Sequence, residues 1–288
     1  MSCPQMDATL DTLVVDEAGQ LSLANVLAVA GAADRLVLVG DPRQLAQPSK
    51  GTHPDGAGVS GLEHVLGAHD TMPDHLGLFL DRTWRLHPDI CGFISEQVYE
   101  GRLDPEPHCA TQAVDDGPTV GGTGLRWLPV DHEGNRTSSP EEAHAVAQAV
   151  EALLGRGWTD RDGTRRVLGP DDVLVVAPYN AQVHLLAQHL PEGVSVGTVD
   201  RFQGKEAPVV IVSMTAYSAE DVPRGMEFLY SRNRINVAVS RAQALCVLVA
   251  SPRLLAVTCR TVDQMRLPNV LCRYTEKASW PTIVPQAI

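Results

Sequence analysis

The sequence predicts an α/β fold in which parallel strands alternate with helices. Near the N-terminus, two strands rich in Val and Leu, at residues 12–18 and 35–41, flank a helix at 23–30, which is the order of a β-α-β unit. A second alternation of strands and helices follows between residues 125 and 250. Both N-terminal strands end in polar residues. Because parallel sheets bind ligands at the carboxyl ends of their strands, these ends are the first candidates for a functional site.

Local capping signals support the individual helices. Ser22 stands at the N-cap of the first helix and Gly31 follows its end. Ser139 precedes Pro140, and Glu142 three residues after the serine predicts a capping box. The buried stripe of that helix is expected to be Val146, Val150 and Leu153. Further elements are predicted in the order strand 173–176, helix Asn180 to Leu190, strand 194–199, strand 209–214, helix near 227–242 and strand 245–250.

A hinge is predicted in the segment 70–77, which carries Pro73 and Gly77. We therefore expect two domains, 1–76 and 77–288, each with α/β layers. Two parallel-sheet domains facing each other across a cleft are the natural architecture for this pattern.

The composition is that of an ordinary globular protein, with 44% hydrophobic and 20% charged residues among 288. No apolar run approaches about 18 residues and no signal peptide begins the chain, so we expect a cytoplasmic protein without membrane contact. The net charge of −12 argues against a cationic coat for duplex DNA, but it is compatible with a narrow single-strand channel. The six cysteines form no C-x-x-C pair, which indicates reduced thiols rather than zinc ligands.

Asp16 and Glu17 follow the first strand directly. On their own they could equally be an exposed acid pair, but the polar residues that end the next strand favour a nucleotide-hydrolysing site. In such a site the first acid holds Mg²⁺ and the second positions a water. The phosphate-binding pattern G-x-x-x-x-G-K-[ST] does not occur, since the single Gly-Lys pair, Gly204-Lys205, is followed by Glu206. The chain is therefore expected to be the downstream part of an ATPase.

Further motifs follow in order along the chain: Asp16-Glu17-Ala18-Gly19-Gln20, Gly40-Asp41-x-x-Gln44-Leu45, Thr83-Trp84-Arg85-Leu86-His87-Pro88, Gly197 to Glu206, and Asn236-Val237-Ala238-Val239-Ser240-Arg241-Ala242. This ordered set resembles motifs II to VI of superfamily 1 helicases. It is most similar to the branch that holds the nonsense-mediated-decay RNA helicase and the flap-processing nuclease-helicase. The run Val98-Tyr99-Glu100-Gly101-Arg102-Leu103 also resembles that branch. The resemblance covers roughly residues 12–250.

The resemblance implies a fold of P-loop NTPase (RecA-like) layers: an incomplete first domain without its phosphate loop, then one complete second RecA-like domain. In that family ATP binds between the two domains and a single strand crosses their top. Asp16 resembles the acid that holds Mg²⁺, Glu17 the residue that activates water, and Gln44 the sensor of the γ-phosphate. Arg85 and Arg241 resemble the two arginines that stabilise charge on the transferred phosphoryl group, which suits a permanently charged, bidentate side chain. Without the motif each arginine would be read as a surface ion-pair residue.

Trp84 stands where the family often has Tyr and would stack on the base, although core packing is the alternative reading. Thr83 replaces the common Gln, which puts an amide contact to the adenine edge in doubt. Gly204 and Glu206 resemble the family's nucleotide-binding element, with Glu206 reaching the ribose. Gly19 stands where Ser or Ala is frequent, a departure expected to matter little.

For the nucleic-acid strand the candidates are Thr198 and the turn that contains Tyr179 and Asn180. A hydroxyl and backbone amides at strand ends can hold phosphates without reading sequence, although Tyr179 could equally be structural.

The expected function is ATP-dependent helicase or translocase activity on single-stranded DNA or RNA, with ATP and Mg²⁺ as cofactors. A missing N-terminal helicase segment, with or without a fused nuclease domain, would be its partner, and the chain alone would hydrolyse ATP weakly or not at all. The alternative is a non-catalytic nucleic-acid-binding or regulatory module derived from a helicase. A nuclease finds no support, because no acids and lysine cluster outside the ATP motifs. The motifs do not distinguish DNA from RNA, and they do not set the polarity or the pathway.

Overall fold

The computed structural model describes residues 9–45, 58–117 and 120–279. The chain forms two compact units, Met1–Leu80 and Asp81–Ile288. Among the described helices, each is too short or too polar to cross a lipid bilayer. Both units are mixed α/β structures with parallel strands, which confirms the predicted fold class.

The first unit is built on one β-α-β repeat. Its elements are β1 (Leu10–Val15), α1 (Leu23–Ala30), β2 (Ala33–Leu38) and α2 (Gly61–Leu66). The strands β1 and β2 pair in parallel, with Val15 opposite Leu38. The predicted helix 23–30 is confirmed, and the Ser22 side chain accepts a hydrogen bond from the backbone N–H of Asn25. Both strands end earlier than predicted because the chain turns immediately at Asp16 and again after Val39.

The core of the first unit is small. Val15, Ala18 and Leu62 form its buried cluster, while apolar side chains of the two strands stay exposed, for example 60% of Val14. This two-stranded sheet therefore leaves much apolar surface uncovered by the unit's own described residues.

The second unit begins with short elements that lead to its main sheet. They are β3 (Arg82–Thr83), α3 (Pro88–Val98), β4 (Asp104–Pro105) and β5 (Ala113–Val114). The helix α3 has no counterpart among the sequence predictions. It starts with Pro88 at its first position, and the His87 ring accepts a hydrogen bond from the Asp89 N–H.

The remaining elements follow in the order β6 (Gly124–Pro129), α4 (Pro140–Leu153), β7 (Gly157–Thr159), β8 (Arg165–Val167), β9 (Val173–Val176), α5 (Asn180–His189), β10 (Ser195–Gly197), β11 (Ala207–Ser213), α6 (Met226–Leu229), α7 (Arg232–Val239), β12 (Ala242–Ala250) and α8 (Val262–Lys277). Five of these strands form one sheet in the order β10-β9-β11-β12-β6. All its neighbours are parallel, so every strand starts at one edge of the sheet and ends at the other. The strands β5, β7 and β8 form a separate antiparallel sheet.

The core of the second unit explains the uninterrupted apolar runs of its strands. Every residue of β9 and β11 is buried, as expected for parallel strands covered on both faces. The predicted stripe of α4 is confirmed, since Val146, Val150 and Leu153 are fully buried against this sheet.

Two sequence predictions are wrong in detail. The helix expected near 227–242 is two helices, α6 and α7, because Ser231 caps the second one and its side chain accepts from the Arg234 N–H. The capping box at Ser139 is only half formed. Ser139 accepts from the Glu142 N–H at 3.1 Å, but its own N–H donates to Gln182 Oε1 at 2.7 Å.

The side chain of Glu142 is used elsewhere. It is fully buried, and its Oε2 accepts hydrogen bonds from the Ser213 hydroxyl at 2.6 Å and from the Thr215 N–H at 2.8 Å. Its Oε1 lies 3.2 Å from His132 Nε2. Glu142 thus ties the start of α4 to the end of β11 instead of closing a local cap.

Candidate functional site

The first group of candidate residues lies at the carboxyl end of β1. Asp16 and Glu17 are both exposed in a tight turn. The Glu17 N–H donates to Asp16 Oδ1 at 2.8 Å, and Gln20 Nε2 donates to Glu17 Oε2 at 3.1 Å. Glu17 has a φ of +54°, in the left-handed region that non-glycine residues rarely adopt. The turn therefore holds both carboxylates in fixed directions at the sheet edge.

The end of β2 lies directly against this turn. The Ala18 N–H donates to the Val39 carbonyl at 2.8 Å. A Cβ atom on Gly19 would lie only 2.6 Å from the Asp41 carbonyl oxygen. Gly19 is therefore required by this close approach, because a larger residue would need the backbone to move.

Gln44 joins this group through Asp41. Its Nε2 donates to Asp41 Oδ2 at 3.2 Å, while Asp41 Oδ1 accepts from the Arg43 N–H at 2.8 Å. The first unit thus brings Asp16, Glu17 and Gln44 to one edge of its sheet.

The exposed carboxylates at this edge could take part in a magnesium site. Mg²⁺ commonly binds one or two protein carboxylates together with phosphate oxygens and water. The exposed carboxylate of Asp16, oriented by the Glu17 N–H, fits that role. Within the described ranges no three His, Cys, Asp or Glu side chains gather as an all-protein metal cage.

The second group lies in the second unit, at the edge where the strands start. Arg85 Nε donates to Glu206 Oε2, although the two residues are far apart in sequence. Arg85 Nη1 also donates to the Ser240 carbonyl at 3.4 Å, and Gln243 Nε2 donates to Glu206 Oε1 at 2.8 Å. Three sequence motifs therefore meet at one point.

The electrostatics of Glu206 reflect this pairing. Burial raises the pKa of its carboxyl, but the charge of Arg85 and hydrogen bonds from Arg85 and Gln243 outweigh burial and hold the pKa below its usual range. Glu206 is therefore an anion that holds the Arg85 guanidinium in place.

Arg241 is placed beside this pair but is only 3% exposed. Its Nε donates to the Val237 carbonyl at 3.1 Å and its Nη1 to the Lys205 carbonyl at 3.2 Å. Gly204, which precedes Lys205, lies in an exposed turn and has a φ of +76°. Arg241 thus links the end of α7 to the turn that carries Glu206.

Trp84 projects from the same segment as Arg85 and is 58% exposed. Its indole lies 5.1 Å from the His108 ring, at an interplanar angle of 50°. This exposure argues against core packing and is compatible with stacking on a ligand.

Gln112 was missed by the sequence reasoning. It is 2% exposed, and its Nε2 donates to the Arg85 carbonyl at 2.7 Å and to the Gln243 carbonyl at 3.3 Å. No local pattern around Gln112 signals this role, whereas Gln243 lies two residues after Arg241 and could have been included with that motif.

The third group lies at the opposite edge of the same sheet, where the strands end. Thr198 follows β10 and is half-buried, and Tyr179 and Asn180 follow β9, the neighbouring strand. Asn180 is exposed, but Tyr179 is 7% exposed and packs on Phe228, with ring centroids 5.6 Å apart. Burial raises the pKa of the Tyr179 phenol, with a smaller opposing effect from Arg224.

The second unit therefore separates its candidate residues into two sets. The strand β11, seven residues long, starts beside Glu206 and ends at the opposite edge. At about 3.3 Å per residue this corresponds to roughly 20 Å. The edge where the strands start carries Arg85, Glu206, Arg241, Trp84 and Gly204. The edge where the strands end carries Thr198, Tyr179 and Asn180.

Comparison with known proteins places these motifs in a family context. A family model described as an AAA domain matches residues 58–253. DNA-binding protein SMUBP-2 of Mesocricetus auratus is 30% identical over 263 residues, which cover 84% of this chain and 25% of that protein. The DNA replication ATP-dependent helicase/nuclease dna2 of Schizosaccharomyces pombe is 25% identical over 302 residues, which cover 94% of this chain and 20% of that protein.

The chain thus spans about a quarter or less of the length of these relatives. Among solved structures, arterivirus nonstructural protein 10, a helicase, superposes with a TM-score of 0.44 at 18% identity, covering 86% of this chain and 41% of the viral chain.

Proposed function

Because the chain belongs to the AAA domain family and carries a superfamily 1 helicase-like region, we propose that it serves in an ATP-dependent helicase or translocase acting on single-stranded DNA or RNA. ATP and Mg²⁺ are the proposed cofactors. The observation that carries the proposal is the meeting of Arg85, Glu206 and the Ser240-Arg241 segment, three motifs widely separated in sequence.

In the first unit, each polar residue has a distinct task. Asp16 is the residue that would hold Mg²⁺, and its carboxylate is already oriented by the Glu17 N–H. Bound Mg²⁺ would neutralise charge on the phosphate oxygens. Glu17 orients the attacking water and accepts its proton, with its carboxylate fixed by Gln20. Gln44 donates and accepts hydrogen bonds without carrying charge, which suits a sensor of the γ-phosphate.

In the second unit, Arg85 stabilises the charge that develops on the transferred phosphoryl group. A guanidinium stays charged at any physiological pH and binds phosphate oxygens in bidentate fashion. Glu206 holds this guanidinium in place and is proposed to contact the ribose with its second oxygen. Arg241 is proposed as the second arginine, and it must exchange its bonds to backbone carbonyls for a phosphate oxygen.

The base of ATP is proposed to stack on Trp84, the exposed aromatic ring of this edge, with Gly204 allowing the turn that presents Glu206. At the other edge of the sheet, the Thr198 hydroxyl and the exposed start of α5 at Asn180 are proposed to hold phosphates of a single strand. Tyr179 is proposed to shape that surface through its packing on Phe228.

The relatives named above support nucleic acid as the substrate class, since one is named a DNA-binding protein and the other a DNA replication helicase/nuclease. We further propose the domain limits 1–76 and 77–288 and an additional N-terminal helicase segment as partner. Since the phosphate-binding pattern does not occur in the sequence, ATP hydrolysis by this chain alone is proposed to be weak or absent.

The test is ATP hydrolysis with and without single-stranded DNA or RNA. It compares this chain with a longer form that adds a phosphate loop ahead of Asp16. In the longer form, Glu17→Gln is expected to lower kcat by about 10²- to 10⁴-fold, the usual contribution of a general base. Asp34→Asn, another exposed carboxylate of the first unit, is the matched control and should leave kcat unchanged.

Turnover only in the longer form, dependent on both the strand and Glu17, supports the motor. A longer form that binds a strand but never hydrolyses ATP contradicts it and favours the non-catalytic binding module.

A further inference from the structure

The hairpin formed by β7 and β8 lies outside all the motifs that carry the proposed function. Its tip is organised by one side chain, because Asp160 Oδ1 accepts hydrogen bonds from the N–H groups of Asp162 and Thr164, each at 2.9 Å. The Asp160 N–H donates to the Thr164 carbonyl at 3.0 Å, and Gly163 takes a φ of +81°. The tip is therefore a closed turn with a defined conformation.

This turn presents Arg161 to the segment that carries Trp84. Arg161 Nη1 donates to the Trp84 carbonyl at 2.6 Å, across 77 positions of sequence. A hydrogen bond from a charged donor is stronger than one between neutral groups. The hairpin thus fixes the backbone of Trp84, which belongs to a loop between β3 and α3.

His108 holds the same residue through its ring. The two ring centroids are 5.1 Å apart and tilted by 50°, within the range of favourable aromatic pairs. Trp84 nevertheless remains 58% exposed. An aromatic residue that is held at its carbonyl and on its ring, yet leaves most of its surface open, is preorganised for a flat ligand.

We propose that Arg161 of the β7–β8 hairpin is a positioning residue of the nucleotide site, and that Trp84 and His108 together form the platform for the adenine ring. This inference rests on the proposed function, since it concerns the same nucleotide. It adds two residues and one structural element that the sequence motifs do not contain.

The charge of Arg161 also reaches the neighbouring Arg85–Glu206 pair. Burial raises the pKa of Glu206, but the charge and hydrogen bond of Arg85, the hydrogen bond from Gln243 and the charge of Arg161 together lower it by more. The hairpin tip therefore lies close enough to the pair for the charge of Arg161 to act on Glu206.

The test measures the binding of ADP and of inorganic tripolyphosphate to the full chain. The readout is the set of tryptophan indole N–H signals in NMR spectra. The chain has four tryptophans, and Trp84→Phe identifies the signal of Trp84. Arg161→Ala is expected to weaken ADP binding by about fivefold, since one charge-assisted hydrogen bond is lost, while tripolyphosphate binding stays unchanged. His108→Ala is expected to act in the same direction, and Arg161→Lys to restore part of the ADP affinity.

Arg165→Ala is the matched control, because Arg165 lies on the other arm of the hairpin and pairs with Asp115 at 2.5 Å. It should leave ADP binding unchanged.

If Trp84→Ala weakens ADP binding but Arg161→Ala and His108→Ala do not, the positioning role is overturned and the proposed function stands. An equal loss of ADP and tripolyphosphate with Arg161→Ala also overturns it, because a base platform does not bind phosphate. If Trp84→Ala has no effect on ADP either, the assignment of this edge to the nucleotide fails.

Discussion

The buried carboxylate of Glu142 allows a quantitative stability prediction. It is fully buried and accepts hydrogen bonds from the Ser213 hydroxyl at 2.6 Å and the Thr215 N–H at 2.8 Å. Replacement by alanine removes the acceptor of both bonds and leaves the two donors buried, and the His132 ring, 3.2 Å from Glu142 Oε1, loses its neighbour as well. Each buried donor without a partner costs about 1–3 kcal/mol, so the two together cost roughly 4 kcal/mol.

Part of this loss is offset. A buried carboxylate carries a desolvation penalty that disappears with the side chain, and the Ser213 oxygen keeps the hydrogen bond from Gln182 Nε2 at 3.0 Å. We therefore expect Glu142→Ala to lower the free energy of unfolding by about 3 kcal/mol. With a urea m value of about 2 kcal/mol/M, the midpoint would fall by about 1.5 M.

The assay is urea unfolding of the full chain at neutral pH, followed by far-UV circular dichroism. Glu151→Ala is the matched control, since Glu151 lies on the same helix α4 but is exposed, and its midpoint should move little. Glu142→Gln keeps one acceptor oxygen and should fall between the two. A loss below about 1 kcal/mol for Glu142→Ala would refute the reasoning, because it would mean that the two donors find other partners at little cost.

Two further substitutions should lower the stability of the chain. Burial raises the pKa of Asp172, but hydrogen bonds from Arg166 and from the Gly169 N–H outweigh it and lower the pKa. The stability that this carboxylate contributes is therefore present above its ordinary pKa of 3.8 and is lost as the pH falls further. Asp172→Asn should destabilise the chain by about 1 kcal/mol in urea unfolding at pH 7. The difference should shrink as the pH falls below 3.8, and a difference that grows in that direction would contradict this sign. Gly19→Ala should lower the melting temperature, since its Cβ would lie 2.6 Å from the Asp41 carbonyl. Gly92→Ala, whose Cβ meets no atom within 4 Å, should not lower it.

The features predicted correctly from the sequence are those that depend on neighbouring residues. Ser22 caps α1 because a serine hydroxyl reaches an N–H group three residues ahead, whatever the rest of the fold does. The α/β class and the superfamily 1 resemblance are confirmed for the same reason, since strand composition and short motifs are local.

The features that the sequence could not supply depend on contacts between distant residues. Ser139 and Glu142 match a capping box, yet Gln182 takes the Ser139 N–H and the end of β11 takes the Glu142 carboxylate. Local spacing shows that two groups can form a hydrogen bond with each other. It does not show whether a residue distant in sequence binds one of them instead. The helix predicted near 227–242 fails similarly, because Ser231 was not recognised as a cap inside a helical pattern.

The candidate site follows the same division. The candidate residues could be predicted because each motif is short. Gln112 and Arg161, which contact the backbone of these motifs, could not be predicted, because they come from irregular or hairpin segments without a motif. Both reach their targets through a backbone carbonyl, that of Arg85 or that of Trp84. A carbonyl accepts a hydrogen bond whatever its side chain is, so such a contact places no constraint on the sequence of the motif it supports. The residues that orient a site through its backbone are therefore the ones that motif reading will miss, and the structure is needed to find them.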